Sequence, residues 1–322
     1  MANEYTYRAD HIGTLVIPPA LSDARNRYRR GEIDLDRLRE GENIAVKSAV
    51  EMQRSVGVSV TTDGGFRRAD HAAAKLDGST LARTEAAPLR SLSRAPIKVA
   101  VPAARPAADE PLDRALARAV IAKQEIEALI AAGVDYIQLD APGYPMPCDD
   151  GNCDAPQTSG GGPQRTIDKL LQLDTTALSG INRPGNVRIA VHFVRPSNAV
   201  LRQSISGHAA AERVFQTLPA DRFILPMDGA GGDFDLLRLV PKGRLVVLGL
   251  VSASTPALED IDELMSRIDH AAKLIDGDDL ALGTASGFVA AADPGGPMSE
   301  VDQRRKLELI ADVATRWWGF AM

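Results

Sequence analysis

The residues most able to do chemistry in this chain are His192 and Arg195, because of where they stand. Within Val187-Arg188-Ile189-Ala190-Val191, Ile189, Ala190 and Val191 form an unbroken small apolar run with no turn residue inside it, and the stretch reads as a buried strand. His192 and Arg195 come at its far end, just before Pro196-Ser197-Asn198, which reads as a turn. Parallel α/β folds place their chemistry at the carboxyl ends of buried strands. On a single strand, a hydrogen-bonded core histidine would be the plainer reading. Here the pattern recurs. Asp10-His11 lies in a short strand-like segment, Asp63 and Arg67 follow Val58-Ser59-Val60-Thr61-Thr62, Asp140 ends Tyr136-Ile137-Gln138-Leu139, and Asp228 follows Arg222-Phe223-Ile224-Leu225.

These groups form an acid–base set. His192 is expected to move a proton near neutral pH, with Asp140 or Asp228 orienting it. Arg67, Arg68 and Arg195 carry guanidinium groups that match carboxylates or phenolates, although Arg68 reads as a surface residue. His11, Asp63, Arg67, Arg195 and Ser286 are the expected substrate-binding set. An aspartate before a glycine, such as Asp63, can equally close a turn or cap a helix.

The elements that would position these groups alternate. Strand patterns fall at 10–15, 58–63, 97–102, 136–140, 187–195, 222–228, 244–251 and 280–288. Helical periodicity spans 35–56, with Gly57 as a C-cap, and recurs at 112–132, 167–178, 199–218, 258–275 and 300–317. Pro18-Pro19 is expected to stop any helix, and residues 69–95 read as an irregular excursion. Residues 142–164 are rich in proline and glycine and read as a long active-site loop. Eight strand candidates alternating with helices predict an α/β fold, a single (β/α)8 TIM barrel over 1–322. An open doubly wound sheet is the competing architecture. No glycine-rich dinucleotide fingerprint joins a first strand to a helix, which weighs against it.

Composition limits the partners. The chain has 322 residues, 44% of them hydrophobic, enough for a sizeable core. The net charge is −6 with no basic tract, so nucleic acid and anionic membrane are not expected partners. No apolar run approaches the ~20 residues that span a bilayer, and the first residues lack a signal-peptide pattern. A cytoplasmic enzyme acting on a small molecule is the expectation. The only cysteines, Cys148 and Cys153, do not make a disulfide framework.

Five stretches in order carry a family resemblance: Arg8-Ala9-Asp10-His11-Ile12-Gly13-Thr14-Leu15, Thr62-Asp63-Gly64-Gly65-Phe66-Arg67-Arg68, Tyr136-Ile137-Gln138-Leu139-Asp140, Leu248-Gly249-Leu250-Val251 and Thr255-Pro256-Ala257-Leu258-Glu259. Together they resemble the catalytic domain of cobalamin-independent methionine synthase, especially its short single-barrel relatives, over nearly the whole chain. The resemblance implies a TIM barrel, shared with uroporphyrinogen decarboxylase, a homodimer, and methyl transfer from a folate to a zinc-bound thiol. It also implies four zinc ligands, and here the chain departs. His192 stands at the histidine position, but Val194, Pro226 and Ser286 stand at those of a cysteine, a glutamate and a second cysteine. Gly65 and Ala141 likewise replace acids usual in the family.

Three readings follow. The first is a zinc-independent enzyme without a cofactor, performing metal-free acid–base chemistry of demethylation, lyase or hydrolase type on a small anionic or aromatic substrate. The second is methyl transfer from a folate to a thiol such as homocysteine, with zinc relocated toward Cys148 and Cys153. The third is a non-enzymatic ligand-binding relative.

Overall fold

The structure is a computed structural model that describes residues 6–68, 76–106, 110–144, 162–194, 208–228, 234–288 and 298–319. Six strands run parallel in chain order: β1 (Lys98–Pro102), β2 (Tyr136–Asp140), β3 (Arg188–His192), β4 (Arg222–Pro226), β5 (Leu245–Val251) and β6 (Leu280–Thr284). Two short extended segments close the ring between β6 and β1. The Asp10 amide donates to the Leu282 carbonyl at 2.8 Å, and Leu282 N donates back to Arg8 O at 2.9 Å. Ser59 N then donates to Ala9 O, Thr61 N to Pro96 O, and Lys98 N to Thr61 O, each at 2.9 Å. Eight staves therefore make a closed (β/α)8 barrel, as the alternation of patterns predicts. The segments near 8–14 and 58–64 contribute isolated bridges rather than regular strands.

Strand alternation decides what each residue meets. On β2, Ile137 and Leu139 face outward into the large core shared with the helices. Tyr136 faces inward and packs with Ile12, Val60, Ala190, Ile224 and Val247. Where β5 meets β6, the register shifts at Gly249. A Cβ there would stand 2.7 Å from the Leu225 carbonyl and 2.9 Å from Ala285 Cα, so only glycine fits.

The helices are α1 (Pro19–Arg29), α2 (Leu35–Val56), α3 (Ala87–Leu92), α4 (Leu112–Ala131), α5 (Gly162–Leu178), α6 (His208–Thr217), α7 (Ile261–Ala271) and α8 (Glu300–Trp318). α2 matches its periodicity end to end: Asp34 caps it by accepting from Arg37 N, and Gly57 ends it at φ 81°. α1 corrects the reading of Pro18-Pro19. Proline blocks a helix interior, but at the first helical position its missing N–H is no loss, and Pro19 starts a helix there. The excursion at 69–95 contains a π-helical turn, Ala82–Ala86, running directly into α3. The expected 142–164 loop falls mostly outside the described residues at 145–161, and α5 already begins at Gly162. α7 starts later than expected because Asp260 caps it by accepting from Glu263 N.

The barrel interior is not wholly apolar. Lys98 Nζ lies 2.8 Å from Asp10 Oδ1 and donates to His11 O at 2.7 Å, and the Tyr136 hydroxyl donates to Asp10 Oδ2 at 2.8 Å. Arg222 lies over the rings of Tyr7 and Tyr136, 4.8 and 5.0 Å from their centroids. Burial pushes the Asp10 carboxyl up, but the charge and hydrogen bond of Lys98 outweigh it and hold the group below the ordinary carboxylate range.

Lys98→Met leaves Asp10 buried and unpaired, and should destabilise the protein by about 3–5 kcal/mol. Asp10→Leu together with Lys98→Met should cost clearly less than Lys98→Met alone. Urea denaturation of both variants tests this; equal losses would show that the pair is not coupled.

Candidate active site

β2 ends in Asp140 and β3 ends in His192, and the parallel register sets the two residues side by side. Their side chains meet, with His192 Nδ1 2.9 Å from Asp140 Oδ1. Gln138 lies two residues before Asp140 on the same inward face, and its Nε2 donates to Asp140 Oδ1 at 2.7 Å and to Ile12 O at 3.1 Å. Burial raises the Asp140 carboxyl, but the His192 contact, Gln138 and the charge of Arg68 together bring it below the ordinary range. An ionised Asp140 accepts only, so neutral His192 carries its proton on Nδ1. That leaves Nε2 as an acceptor. The His192 ring is buried, 3% exposed, and Nε2 has no hydrogen-bond partner among the described residues. The Asp140 side chain is 29% exposed, so the pair lies at the open, carboxyl end of the barrel.

A second group of polar residues gathers at the turn after Thr62, with Arg68 in electrostatic reach of Asp140. Asp63 Oδ1 accepts from Gly65 N at 2.8 Å, closing the turn, while its Oδ2 is buried without a partner. Arg68 is buried rather than on the surface, which corrects the sequence reading. Its Nε and Nη2 meet Glu85 at 2.6 and 2.7 Å, and Nη2 also reaches the Ala100 carbonyl. Burial disfavours the Arg68 charge, but Glu85, Asp63 and Asp140 more than restore it, and its pKa is raised. A small pocket is lined by Ile12, Thr14, Thr62, Asp63, Arg68, Glu85 and Lys98, and neither Asp140 nor His192 is among its lining residues. Glu85 sits in the π-helical turn, whose extra residue no periodicity in the sequence announces.

The other expected residues are distributed differently. His11 is 1% exposed, and Val60 O and the Gln53 amide lie near its ring without hydrogen-bond geometry. Arg67 turns toward α2, where Nη2 donates to Asn43 Oδ1 at 2.6 Å. Asp228 follows β4 within electrostatic reach of Arg267 on α7. Ser286 lies just beyond β6. Arg195, Cys148 and Cys153 lie outside the described residues.

The donor set can be compared with what zinc requires. Val194 and Pro226 offer no side-chain donor, which leaves His192, through Nε2, as the one strong donor of the expected set. Among the described residues no group of three or more His, Cys, Asp or Glu is placed to hold a metal ion. The residues at this position therefore do not fit a zinc site.

No protein-family model matches the chain. Two curated relatives, both from Bacillus subtilis (strain 168), span it almost fully. The uncharacterized protein YxjH is 26% identical over 97% of this chain and 95% of its own length, and the uncharacterized protein YxjG is 27% identical over the same shares. Among solved structures, a putative vitamin-B12-independent methionine synthase from Listeria monocytogenes superposes with a TM-score of 0.75 at 24% identity, covering 97% of this chain and 98% of that one. A B12-independent methionine synthase from Shewanella sp. W3-18-1, in complex with selenomethionine, gives 0.74 at 19% identity, covering 98% of both. The barrel is thus the fold of cobalamin-independent methionine synthase-like proteins, in line with the sequence resemblance. No helix among the described residues is long and apolar enough to cross a membrane.

His11 supplies a pH test. Burial, reinforced by the Lys98 charge, pushes its pKa down to about 4 from an ordinary value near 6.5. Between those values the unfolded chain binds the extra proton and the folded chain does not, so stability rises with pH there and falls on acidification. The drop from pH 7 to pH 4 should reach about 3 kcal/mol, about 2 kcal/mol of it already by pH 5, before most carboxylates titrate. His11→Gln should flatten that part of the stability profile in urea melts; an unchanged slope would assign it elsewhere.

Proposed function

We propose that this chain is an enzyme, related in fold to the methionine synthase-like methyltransferases, in which His192 acts as a metal-free general acid–base. The observation that carries this reading is the His192–Asp140 pair: Nδ1 is held by the carboxylate, while Nε2 is buried without a partner at the mouth of the barrel. Asp140 fixes the tautomer and stabilises the imidazolium formed when Nε2 takes a proton. His192 can then return that proton to a leaving group or product, which suits demethylation, lyase or hydrolase chemistry.

The substrate we propose is small and brings at least one N–H or O–H donor. Its proton meets Nε2, and the buried Asp63 Oδ2 is a further acceptor without a partner. Arg68, rather than Arg67, is the cation available to an anionic group, since it lines the pocket. The Shewanella protein holds selenomethionine, an amino acid with both an ammonium and a carboxylate, and an amino-acid-like substrate satisfies the same requirements here.

Methyl transfer to a zinc-bound thiol is the second reading, supported by the fold shared with the Listeria and Shewanella structures. We disfavour it because the four expected ligand positions retain only the imidazole of His192 as a strong donor. Elemental analysis of protein purified without chelator should find far less than one zinc per chain. A tightly held stoichiometric zinc would instead establish the thiol-transfer reading.

Native mass spectrometry of the purified protein, with L-methionine as the first added probe, is the route to the ligand. With a substrate in hand, His192→Asn is the decisive variant. The asparagine amide keeps a donor near the Nδ1 position toward Asp140 but removes Nε2. Turnover should fall on the order of 10²–10⁴-fold with the fold retained. Unchanged turnover would make His192 a structural residue.

A further inference from the structure

We propose that Gln138 is the positioning residue of this site: by donating to Asp140 from within the barrel, it sets the tautomer of His192. The inference rests on the acid–base reading of His192 and adds the residue that makes its geometry single-valued.

Gln138 lies in the middle of β2, fully buried, with side chain inward. Its register partner on β3 is Ala190, whose small side chain leaves the amide room to extend along the barrel axis. Both contacts of Nε2 are to acceptors, the Asp140 carboxylate and the Ile12 carbonyl. Those neighbours fix the amide orientation, because a flipped Gln138 would set its oxygen against two oxygens with no proton between them. One hydrogen therefore goes to Asp140, and the other anchors the amide to the segment that closes the barrel. That segment is itself held, since Ile12 N donates to Thr284 Oγ1 at 3.2 Å. A hydrogen-bonded line thus crosses the barrel: Thr284 at the end of β6, Ile12, Gln138 and Asp140 on β2, then His192 at the end of β3.

The consequence falls on one oxygen. Asp140 Oδ1 receives both Gln138 Nε2 and His192 Nδ1. Gln138 pins that oxygen where the imidazole of a strand-end histidine can reach it. Without the amide, the partly exposed carboxylate is held only through His192 among the described residues, and it can rotate away from Nδ1 toward solvent. His192 then loses the bias that keeps its proton on Nδ1, and Nε2 is no longer reliably an acceptor.

The test reads the tautomer directly, without a substrate. In 15N-histidine-labelled protein, which has five histidines, the His192 signals are those lost in His192→Asn. Wild-type His192 should show a protonated Nδ1 and an unprotonated Nε2. In Gln138→Leu the ratio of the Nδ1–H to the Nε2–H form should fall by about three- to tenfold, the equilibrium worth of one hydrogen bond, with the circular dichroism spectrum unchanged. A folded Gln138→Leu protein with the wild-type ratio would overturn the inference.

Gln138→Met, also without a donor but unbranched, repeats the test if leucine does not fold. The unaltered protein gives an independent check: both Gln138 side-chain amide protons should exchange far more slowly than those of exposed glutamines, and solvent-rate exchange would overturn the inference. If wild-type His192 carries its proton on Nε2, the acid–base reading itself fails, and that outcome is distinct from a tautomer that Gln138 does not influence.

Discussion

A carboxylate and an ammonium, Asp10 and Lys98, face each other inside a barrel that excludes water, and much of the architecture follows from keeping them satisfied. Each side chain is 1% exposed. Two isolated charges in such a place would cost several kcal/mol each, so every lone pair and proton needs a partner. Asp10 finds Lys98, the Tyr136 hydroxyl and the His11 amide; Lys98 adds the His11 carbonyl. Asp10 stands on the irregular segment that closes the ring and Lys98 on β1, with the 59–61 segment between them. The ion pair therefore spans the weakest part of the closure, where isolated bridges replace full ladders. Below it, Tyr7 stacks on Tyr136 at 5.6 Å and takes a left-handed φ of 47°, a conformation tolerated because neighbouring contacts hold it.

Tyr136 links this plug to the site. It is the first of three inward residues on β2, followed at the strand period by Gln138 and Asp140. The strand presents, in order, a phenol to the ion pair, an amide to the closing segment and a carboxylate to His192. A shift of β2 by one residue would turn all three into the helical layer and bring Ile137 and Leu139 inside. The buried polar groups of the plug thus protect the register on which the candidate site depends.

The sequence conveyed the architecture well and the walls of the site only in part. Parallel strands buried on both faces leave unbroken apolar runs, so β1 to β6 stand out in composition, and Asp140 and His192 are visible as polar residues that end them. Gln138 was inside a recognised strand, yet nothing in a five-residue run says which polar residue is structural. Asp10 and Lys98 are 88 positions apart and acquire meaning only when the ring closes. Arg68 looked exposed because it follows two glycines and another arginine. Its partner Glu85 sits in a π-helical turn, and that turn breaks the 3.6-residue rhythm by which helices are found. Pro19 misled for a related reason: the same missing N–H that ends a helix is harmless where one begins.

The chain's two buried described histidines near the barrel axis sit in different surroundings. His11 is enclosed beside a buried ammonium, and its environment favours the neutral ring at any physiological pH. Nothing about that surrounding supports a proton gained and lost in turnover. His192 is equally buried, but one nitrogen faces a carboxylate that is itself partly open to solvent, and the other has no partner. What separates the two is that anionic anchor, since both ring nitrogens of His11 also lack hydrogen-bond partners among the described residues. An imidazole with an anionic anchor and a second nitrogen that meets no described residue is the arrangement on which we rest the proposal of proton exchange at the barrel mouth.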